Sequence, residues 1–226
     1  HIVGGFRFEL SKLTVPAIRT RMLSSLANVS QAFAAAIADG LGMEVPEPMP
    51  RALDKAVEPE VATAPSLSLM ARPGDGGIRT RKIAILVADG AVGASVAAMQ
   101  AALLDAGAVP KVIAPKLGAI ETSDGKPVQA DGTFENSAPV LFDAVVIADG
   151  QKAGATLAGL GQAVEFVVNQ YRHGKTLLAL GTAKSLLQKA GIEPGGADPG
   201  VIVGAADAAP RFIAAVARHR HPERET

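Results

Sequence analysis

The sequence contains no cysteine among its 226 residues. This absence excludes disulfide bonds, thiolate nucleophiles and cysteine-rich metal sites together. It would suit a protein that meets an oxidant, although chance explains it equally well. An excess of one charge is also lacking, because Lys plus Arg and Asp plus Glu each number 22 and the formal net charge is +0. We therefore expect neither nucleic acid nor a membrane as a partner.

Long hydrophobic runs are absent as well. No apolar run reaches the length of about 18 residues that a membrane-spanning helix requires, and no basic and apolar leader opens the chain. These absences predict a soluble, cytoplasmic protein. Hydrophobic residues nevertheless make up 48% of the sequence, which is enough to bury a full core for one domain with an appendage.

Proline and glycine divide the chain into three parts. Residues 1–45 are predicted to form a short helical arm, and residues 46–80 an extended linker, because prolines break any regular element there. The prolines of the linker stand at positions 46, 48, 50, 59, 65 and 73. Residues 81–226 alternate between strand and helix patterns and are predicted to form a domain with a basic C-terminal tail.

Two helices are predicted in the arm. Ile18, Met22 and Leu26 recur at helical spacing within residues 15–26, and a second helix is expected over residues 30–39, with a serine as its N-cap. Two short helices bury little by themselves, so we expect the arm to need a partner surface. Its apolar residues that are expected to be exposed are Phe6, Phe8, Leu13 and Ile18.

The remainder of the chain carries five continuous apolar stretches of strand length, which are typical of parallel strands covered on both faces. They lie at residues 82–88, 111–114, 142–148, 176–180 and 201–203. Helices are predicted over 94–106, 153–172 and 207–219, and the inner face of the longest carries Leu157, Leu160, Val164, Val167, Val168 and Tyr171. This alternation predicts an α/β fold with a doubly wound, mostly parallel sheet between two helical layers, and residues 117–133 are expected to form a small β-hairpin.

Two Asp-Gly pairs follow strands at the edge where open α/β sheets bind ligands. Asp89-Gly90 and Asp149-Gly150 could supply a carboxylate pair, but Asp-Gly is also common turn chemistry, and we favour the turn. The segment 89–95 opens a helix with glycines and could present backbone amides to an anion. It lacks the residues of a dinucleotide, Walker or flavodoxin loop, so nucleotide or flavin binding is disfavoured.

The histidines of the domain are not expected to be catalytic. His173 follows the longest helix and fits a C-terminal cap that the helix dipole favours. His219 and His221 lie among arginines and are predicted to belong to a solvated tail. No metal site is predicted there, because the carboxylate or histidine partners that it needs are not evident.

The segment 175–184, KTLLALGTAK, is a strand-to-helix elbow, where many α/β enzymes carry their nucleophile. Here the corresponding residue is Gly181, which has no side chain. The elbow therefore predicts a fold typical of enzymes in a protein that does no chemistry at this position.

Three segments of the domain together resemble the PfpI type of the class I glutamine amidotransferase superfamily, which has a flavodoxin-like fold; they are 82–90, 142–150 and 175–187. In that family the elbow carries a cysteine nucleophile and a histidine, and a glutamate after the first strand polarises the thiol. On this sequence the cysteine falls on Gly181, the histidine on Thr182 and the glutamate near Val92. None of the three can attack or relay a proton, and no base is expected beside the Thr182 hydroxyl. The resemblance implies that this chain has no catalytic residue.

A second resemblance covers the chain from end to end. Its elements stand in the order found in the C-terminal third of large-subunit haem catalases: HIVGGFRFELSKL at 1–13, an arginine-rich helix, Gly-Leu-Gly at 40–42, PSLSLM at 65–70, and the elbow without a nucleophile. Those enzymes carry a degenerate PfpI-type domain after their catalytic core, joined to it by a long linker. The resemblance implies a parent protein that contains haem, forms a homotetramer and disproportionates hydrogen peroxide.

The haem ligands of that family lie upstream of anything in this sequence. The tyrosine here, Tyr171, is placed by periodicity on the buried face of a helix, and His1 does not correspond to the distal histidine. We therefore expect no cofactor and no metal in this chain, and no enzymatic activity of the chain alone. Its partner would be the remainder of the catalase subunit.

Two hypotheses from different classes remain for its contribution. In the first, the linker wraps the parent subunit and the domain stabilises the homotetramer and shapes channels to the haem. The alternative is a holdase-type chaperone that binds unfolded client proteins through the uncovered apolar arm. A weaker alternative is residual PfpI-like hydrolase or glycation-repair activity, which the loss of all three matched residues disfavours.

Overall fold

The computed structural model describes residues 2–53, 58, 60–67 and 76–225. The chain divides into two compact units, residues 1–64 and residues 65–226, which we call the helical unit and the sheet unit. His1 and part of the predicted linker, including Pro59 and Pro73, lie outside the described residues. The boundaries of the three predicted parts therefore stay a prediction.

The described residues of the helical unit form three helices, α1 (Ile2–Ser11), α2 (Pro16–Ala27) and α3 (Gln31–Gly40). The last two confirm the predicted pair, and the Ser30 hydroxyl caps α3 by accepting a hydrogen bond from the Phe33 N–H at 3.3 Å. The sequence did not predict α1, because two glycines near its start weaken its helix propensity. The helices share a core formed by Leu10, Leu23, Leu26, Ala34, Ile37 and Ala38. With α1 added, the arm buries more apolar surface than two helices would.

The buried face of α2 differs from the predicted one. Leu23 and Leu26 are buried, whereas Ile18 is 43% exposed and Met22 is 38% exposed. Steps of three and of four residues both keep side chains on one side of a helix. The periodicity therefore fits a buried stripe with Ile18 and Met22 as well as one with Leu23. The contacts with α1 and α3 favour the stripe that contains Leu23.

The expected exposure of the arm is confirmed for two residues and wrong for two. Phe8 is 62% exposed, and Ile18 is exposed as well. Phe6 and Leu13 are instead partly buried against the core of the helical unit, and the ring of Phe6 meets the ring of Phe33 edge-on with 5.6 Å between centroids. Phe6 belongs to the helix α1, which was not predicted, and Leu13 follows that helix.

The sheet unit contains a six-stranded parallel sheet and a two-stranded antiparallel hairpin. In chain order the strands are β1 (Lys82–Leu86), β2 (Val109–Ala114), β3 (Gly118–Ile120), β4 (Val128–Ala130), β5 (Gly132–Thr133), β6 (Ala144–Ile147), β7 (Thr176–Leu180) and β8 (Val201–Gly204). The order across the main sheet is β5-β2-β1-β6-β7-β8. The strands β3 and β4 confirm the predicted hairpin.

The central strand β1 pairs with β2 on one side and β6 on the other. Leu86 lies opposite Ile113 in β2 and Ile147 in β6. The chain first extends the sheet from β1 towards β2 and later returns to add β6 on the other side, so the strand order reverses between β1 and β6. In doubly wound folds such a reversal opens a crevice at the carboxyl ends of the strands. The flavodoxin-like fold class is confirmed.

Five helices flank the sheet: α4 (Gly93–Asp105), α5 (Gln151–Gly159), α6 (Gly161–Arg172), α7 (Lys184–Lys189) and α8 (Ala209–Ala217). The helices α4 and α8 contact each other, and α5, α6 and α7 form a second group. The single helix that was predicted over residues 153–172 is wrong, because Leu160 is extended and separates α5 from α6. Glycines stand on both sides of Leu160 and weaken helix propensity there. Leu157 and Val167 are buried as predicted, and Ala163, Phe166 and Gln170 complete the buried face of α6.

Candidate functional site

The carboxyl ends of β1, β6 and β7 meet the β3–β4 hairpin around an open cleft of about 730 Å³. Two of the three positions that the resemblance matches to catalytic residues, Val92 and Thr182, line it, and Gly181 directly precedes Thr182. The cleft is lined by Gly90, Val92, Glu121, Thr122, Ser123, Asp149, Gly150, Gln151, Lys152, Ala155 and Thr182. It lies where the strand order reverses, as the fold requires of a ligand site. We therefore treat this cleft as the candidate functional site.

The elbow keeps the backbone of a nucleophile position without its side chain. Gly181 has φ +51°, in the left-handed region that favours glycine. A Cβ at this position would collide with the carboxyl group of Asp149. That carboxylate fills the space instead: its Oδ1 accepts hydrogen bonds from the Thr182 N–H at 2.9 Å and the Thr182 hydroxyl at 3.1 Å.

The Thr182 hydroxyl does have a base beside it, contrary to expectation. The Asp149 carboxylate is that neighbour, and it also accepts a hydrogen bond from the Gly150 N–H at 2.7 Å. A carboxylate is much too weak a base to deprotonate an alcohol, and no histidine lines the cleft among the described residues. The contact fixes the start of the helical turn at the elbow.

Val92, the lost acid position, lies at the N-cap of α4 and lines the cleft. Its N–H donates to the Asp149 carbonyl at 2.9 Å, so the backbone here connects the ends of β1 and β6. Its side chain carries no charge that could polarise a neighbour.

Of the two Asp-Gly pairs, Asp89-Gly90 forms the turn that the favoured interpretation predicted, whereas Asp149-Gly150 forms no turn, and the two carboxylates have separate partners. Asp89 Oδ1 accepts from the Glu121 N–H at 3.0 Å, and Asp89 Oδ2 is 3.7 Å from Lys116 Nζ. Asp149 binds the elbow. Gly90 has φ +91°, which the turn at Asp89-Gly90 requires, whereas Gly150, with φ +132° and ψ +118°, is the N-cap of α5. The first carboxylate thus holds the hairpin and the second holds the elbow.

The amides at the start of α4 are already bound to an anion from the same chain. Asp124, at the tip of the hairpin, accepts from the Gly93 N–H at 3.0 Å and from the Ala94 N–H at 2.8 Å. The hydrogen bond from Ala94, followed by that from Gly93, lowers the pKa of Asp124 below its ordinary value. The anion site that the glycines suggested is therefore a helix cap.

Sequence reasoning missed two of the charged residues that line the cleft. Glu121 enters from the hairpin, and Lys152 enters from the first turn of α5. A Cβ at Gly90 would lie 2.7 Å from Cβ of Lys152, so this glycine admits the close approach of α5. No motif marked either charge, because their positions depend on how the hairpin and α5 fold over the sheet.

The prediction of a solvated tail is wrong for His221, whereas His219 is exposed as predicted. His219 has φ +70° and turns the chain after α8, and His221 is fully buried at the amino end of β7. The His221 N–H donates to the Gly174 carbonyl at 2.8 Å, and its Nε2 is 3.0 Å from the Thr176 hydroxyl. Burial, and next the charge of Arg224, lower the pKa of His221 to about 4, with Asp198 opposing. The pattern of basic residues hid this contact because it depends on a turn.

Arg224 is also buried, with a side chain 4% exposed. It binds the Asp198 carboxylate through two nitrogens and donates to the Lys175 carbonyl at 2.6 Å. Burial opposes ionisation of Asp198, but the hydrogen bonds from Arg224 and from the Gly200 N–H hold its pKa below the ordinary value. The tail thus fastens to the edge of the sheet opposite the cleft.

The tyrosine of the chain and His173 also lie near this edge. Tyr171 is the chain's one tyrosine, and the guanidinium of Arg224 covers its half-buried ring at 4.5 Å from the centroid. His173 is the C-cap of α6, as predicted. Within the described ranges, no three His, Asp or Glu side chains are grouped to hold a metal ion. The helices of that part of the chain are also too short or too polar to cross a membrane.

Comparisons with known proteins connect this geometry to a family. The family described as the C-terminal domain found in long catalases matches residues 79–226. Catalase HPII of Mycobacterium avium is 36% identical over 241 residues, which cover 100% of this chain and 33% of that protein. Catalase C of Rhizobium meliloti is 36% identical over 194 residues, or 85% of this chain and 27% of that protein. The chain thus spans about a third or less of these relatives.

A solved structure of a two-domain protein from Anabaena variabilis, with DJ-1/ThiJ/PfpI-like and ferritin-like domains, is 25% identical with a TM-score of 0.49. The similarity covers 51% of this chain and 34% of that one. The matches to long catalases confirm the resemblance that the order of the segments indicated. The chain belongs to the family of C-terminal domains found in long catalases.

Proposed function

We propose that this chain is the non-catalytic C-terminal portion of a large haem catalase, where it stabilises the subunit and its homotetramer. The parent reaction is the disproportionation of hydrogen peroxide to water and oxygen. The observation that carries the proposal is the elbow, where the Asp149 carboxylate occupies the space of a side chain at Gly181. A fold with this cleft retains the architecture of an enzyme. The position at the elbow that carries the nucleophile in enzymes of this fold serves packing in this chain.

Apolar surface on the helical unit supports a docking role. Ile2 is 67% exposed, Phe8 62% and Ile18 43%. Exposed apolar side chains in this number favour a partner surface, and burial at about 25 cal/mol per Å² would contribute several kcal/mol. The remainder of the catalase subunit is the partner we propose, since the relatives are about three times as long as this chain.

The proposal is tested in a long catalase that contains these residues, by comparing it with a version that ends before residue 81. We expect the shortened enzyme to keep its peroxide turnover per bound haem but to melt at a lower temperature and to lose tetramer on dilution. Calorimetry and analytical ultracentrifugation measure both. An equal melting temperature and an unchanged tetramer would contradict the stabilising role.

The same exposed residues favour a second candidate function, a holdase-type chaperone that binds unfolded clients. The test is light scattering of a heat-aggregating client with and without the purified chain, at equal molar ratio and without peroxide. Suppression that Phe8→Ser weakens would support the chaperone. Scattering that the chain leaves unchanged would restrict its role to the assembled catalase.

The weaker alternative, a PfpI-like hydrolase, has its own test. Gly181→Cys restores the thiol but not the matching histidine and acid, since Thr182 and Val92 remain in place. We expect no turnover of an ester substrate by this variant. Measurable turnover above the unmodified chain would contradict our account of the elbow.

A further inference from the structure

The C-terminal segment, residues 219–225, closes over the amino ends of β7 and β8, away from the cleft. His221 is 0% exposed there, and the side chain of Arg224 is 4% exposed. A Cβ at Gly200, the residue before β8, would collide with both side chains. Residues 219–225, which we call the latch, therefore pack directly on the backbone at this edge of the sheet.

The latch is attached by polar contacts rather than by the hydrophobic core. The core of the sheet unit extends to Val216 and Ala217 at the end of α8, and none of its described members belongs to the latch. The sequence of the latch, HRHPERE, contains one proline but no Ala, Val, Ile, Leu, Met or Phe. A segment that adds so little to the core can open locally, at a much smaller free energy than the whole unit requires.

The contacts of His221 suit a neutral imidazole. Its Nε2 is 3.0 Å from the Thr176 hydroxyl, while its Nδ1 has no hydrogen-bond partner in the described part of the chain. A neutral ring can leave Nδ1 as a bare acceptor, but a protonated ring carries a hydrogen on both nitrogens. Protonation in the closed latch would therefore bury a charged N–H donor without an acceptor, which is costly.

The charged groups that face His221 do not compensate a second positive charge. Arg224 and Arg218 repel an imidazolium, whereas Asp198 and Glu223 attract it. The Asp198 carboxylate is already bound by two nitrogens of Arg224. The side chain of Glu223 is 65% exposed, so water screens its charge.

The other neighbours of the imidazole add no negative charge. Thr176, in β7, presents a neutral hydroxyl. Lys175, directly before it, is a cation whose ammonium donates to the Phe142 carbonyl. Arg220, beside His221 in the latch, is a further cation, and its Cδ would lie 3.6 Å from a Cβ at Gly174.

We propose that residues 219–225 form an acid-released latch. Protonation of His221 opens the segment from the amino ends of β7 and β8 while the rest of the sheet unit stays folded. The device is independent of the role proposed for the chain in a catalase.

The pKa of His221 sets the range of pH in which the latch responds. Burial, and next the charge of Arg224, lower the pKa of His221 from 6.5 to about 4 while the latch is closed. Between these values the open latch binds a proton that the closed latch does not, so closure is favoured above pH 6.5 and weakens as the pH falls towards 4. The equilibrium constant for closure should decrease about 20-fold from pH 7 to pH 5.

The ion pair of the latch persists over the same range. Burial raises the pKa of Asp198, but the hydrogen bonds from Arg224 and from the Gly200 N–H outweigh it and hold that pKa below its ordinary value. Asp198 thus stays ionised at pH 5, and the expected change reports the histidine.

Hydrogen exchange of the 226-residue chain at pH 7 and pH 5 tests the proposal, with each rate divided by the intrinsic rate at the same pH. We expect the protection of the His221 amide, which donates to the Gly174 carbonyl, to fall about 20-fold at pH 5. The control is the Ser123 amide, which donates to the Ala91 carbonyl at the hairpin and should keep its protection. At both pH values the His221 amide should exchange at least about tenfold faster than the amides of β1, because the latch opens without the sheet.

Two variants of the latch identify the group that titrates. His221→Asn removes the imidazole and should abolish the fall in protection at pH 5. His219→Asn is the matched control, because His219 is exposed in the same segment and its φ of +70° is one that asparagine tolerates; it should leave the 20-fold fall intact. If His221→Asn does not fold, an NMR titration of the imidazoles in the unmodified chain replaces it, and His221 should titrate near pH 4.

Each outcome decides the proposal. A fall in protection of the latch that His221→Asn removes and His219→Asn retains supports it. Equal protection at both pH values, or a fall that His221→Asn retains, would overturn His221 as the sensor. An NMR titration of His221 near pH 6.5 would do the same. Exchange of the His221 amide at the rate of the β1 amides would show that the segment opens only when the whole unit unfolds, and would overturn the latch.

Discussion

Replacing Gly181 by alanine should destabilise the sheet unit by more than its left-handed backbone alone requires. A non-glycine residue at φ +51° costs about 1 kcal/mol. The new Cβ would also collide with the Asp149 carboxyl group, which must then move away from the Thr182 N–H and hydroxyl. Hydrogen bonds to a charged group contribute about 1.5–3 kcal/mol, less where water replaces them. We expect a total loss of about 2–4 kcal/mol in the free energy of unfolding.

The chain offers a matched control at Gly191. This glycine has φ +72° with open space around it, so Gly191→Ala carries the backbone cost without a collision. We expect it to cost about 1 kcal/mol. Asp149→Ala provides the second arm, because it removes the carboxylate that Gly181→Ala would displace. The double variant at 149 and 181 should therefore be more stable than the sum of the single effects predicts, by about 1–2 kcal/mol.

Urea unfolding followed by tyrosine fluorescence is the assay. Tyr171 is the one tyrosine of the chain and lies in α6, so its emission reports the sheet unit alone. The midpoint and slope give the free energy of unfolding for each variant. The reasoning is refuted if Gly181→Ala costs no more than Gly191→Ala, or if its effect adds fully to that of Asp149→Ala.

Three further predictions concern the rest of the molecule. The pKa of His221 falls from 6.5 to about 4 on folding, so the unfolded chain binds more protons than the folded chain between these pH values. The free energy of unfolding should therefore decrease as the pH is lowered from about 6.5 to 4, by about 3 kcal/mol at most. His221→Asn should flatten this pH dependence in urea unfolding. Asp124→Ala removes the cap from α4 and should lower the melting temperature of the sheet unit, whereas an unchanged temperature would contradict the capping role. Deleting residues 1–80 should leave a cooperative calorimetric melt. The domain left by deleting only residues 1–75 should be about 2–4 kcal/mol more stable than that one, because it keeps Ile78, which is 1% exposed in the core. A broad transition without a peak would show that the two units share one core.

The positions of the main strands could be predicted from local sequence. The run from Ile83 to Ala88 is fully apolar and buried on both faces, which identifies a central parallel strand without knowledge of its neighbours. The serine before α3 and the glycines of the Asp-Gly turns act through neighbouring residues in the chain. The absence of a side chain at Gly181 was likewise visible, because the residue type is a property of one position.

Local pattern was insufficient where two arrangements satisfied it equally. Ile18 and Met22 fit the spacing of a helix as well as Leu23 does, and the packing of α1 decided for Leu23. The helix predicted over 153–172 kept its periodicity across Leu160, although the backbone breaks there. In both cases the arrangement is decided by contacts with other elements, and the periodicity of one segment carries no information about those contacts.

The sequence by itself determined the α/β alternation, the strand positions and the absence of a reactive side chain at the elbow. Only the tertiary structure decided what occupies that position, because Asp149 and Gly181 meet through the pairing of β6 with β7. The same holds for Asp124, whose carboxylate reaches α4 through the folded hairpin, and for His221, which a turn after α8 buries. A charged or polar side chain reaches a partner that is distant in sequence only when the strands are in register. Whether it caps a helix, packs against another residue or is solvated is therefore a property of the fold.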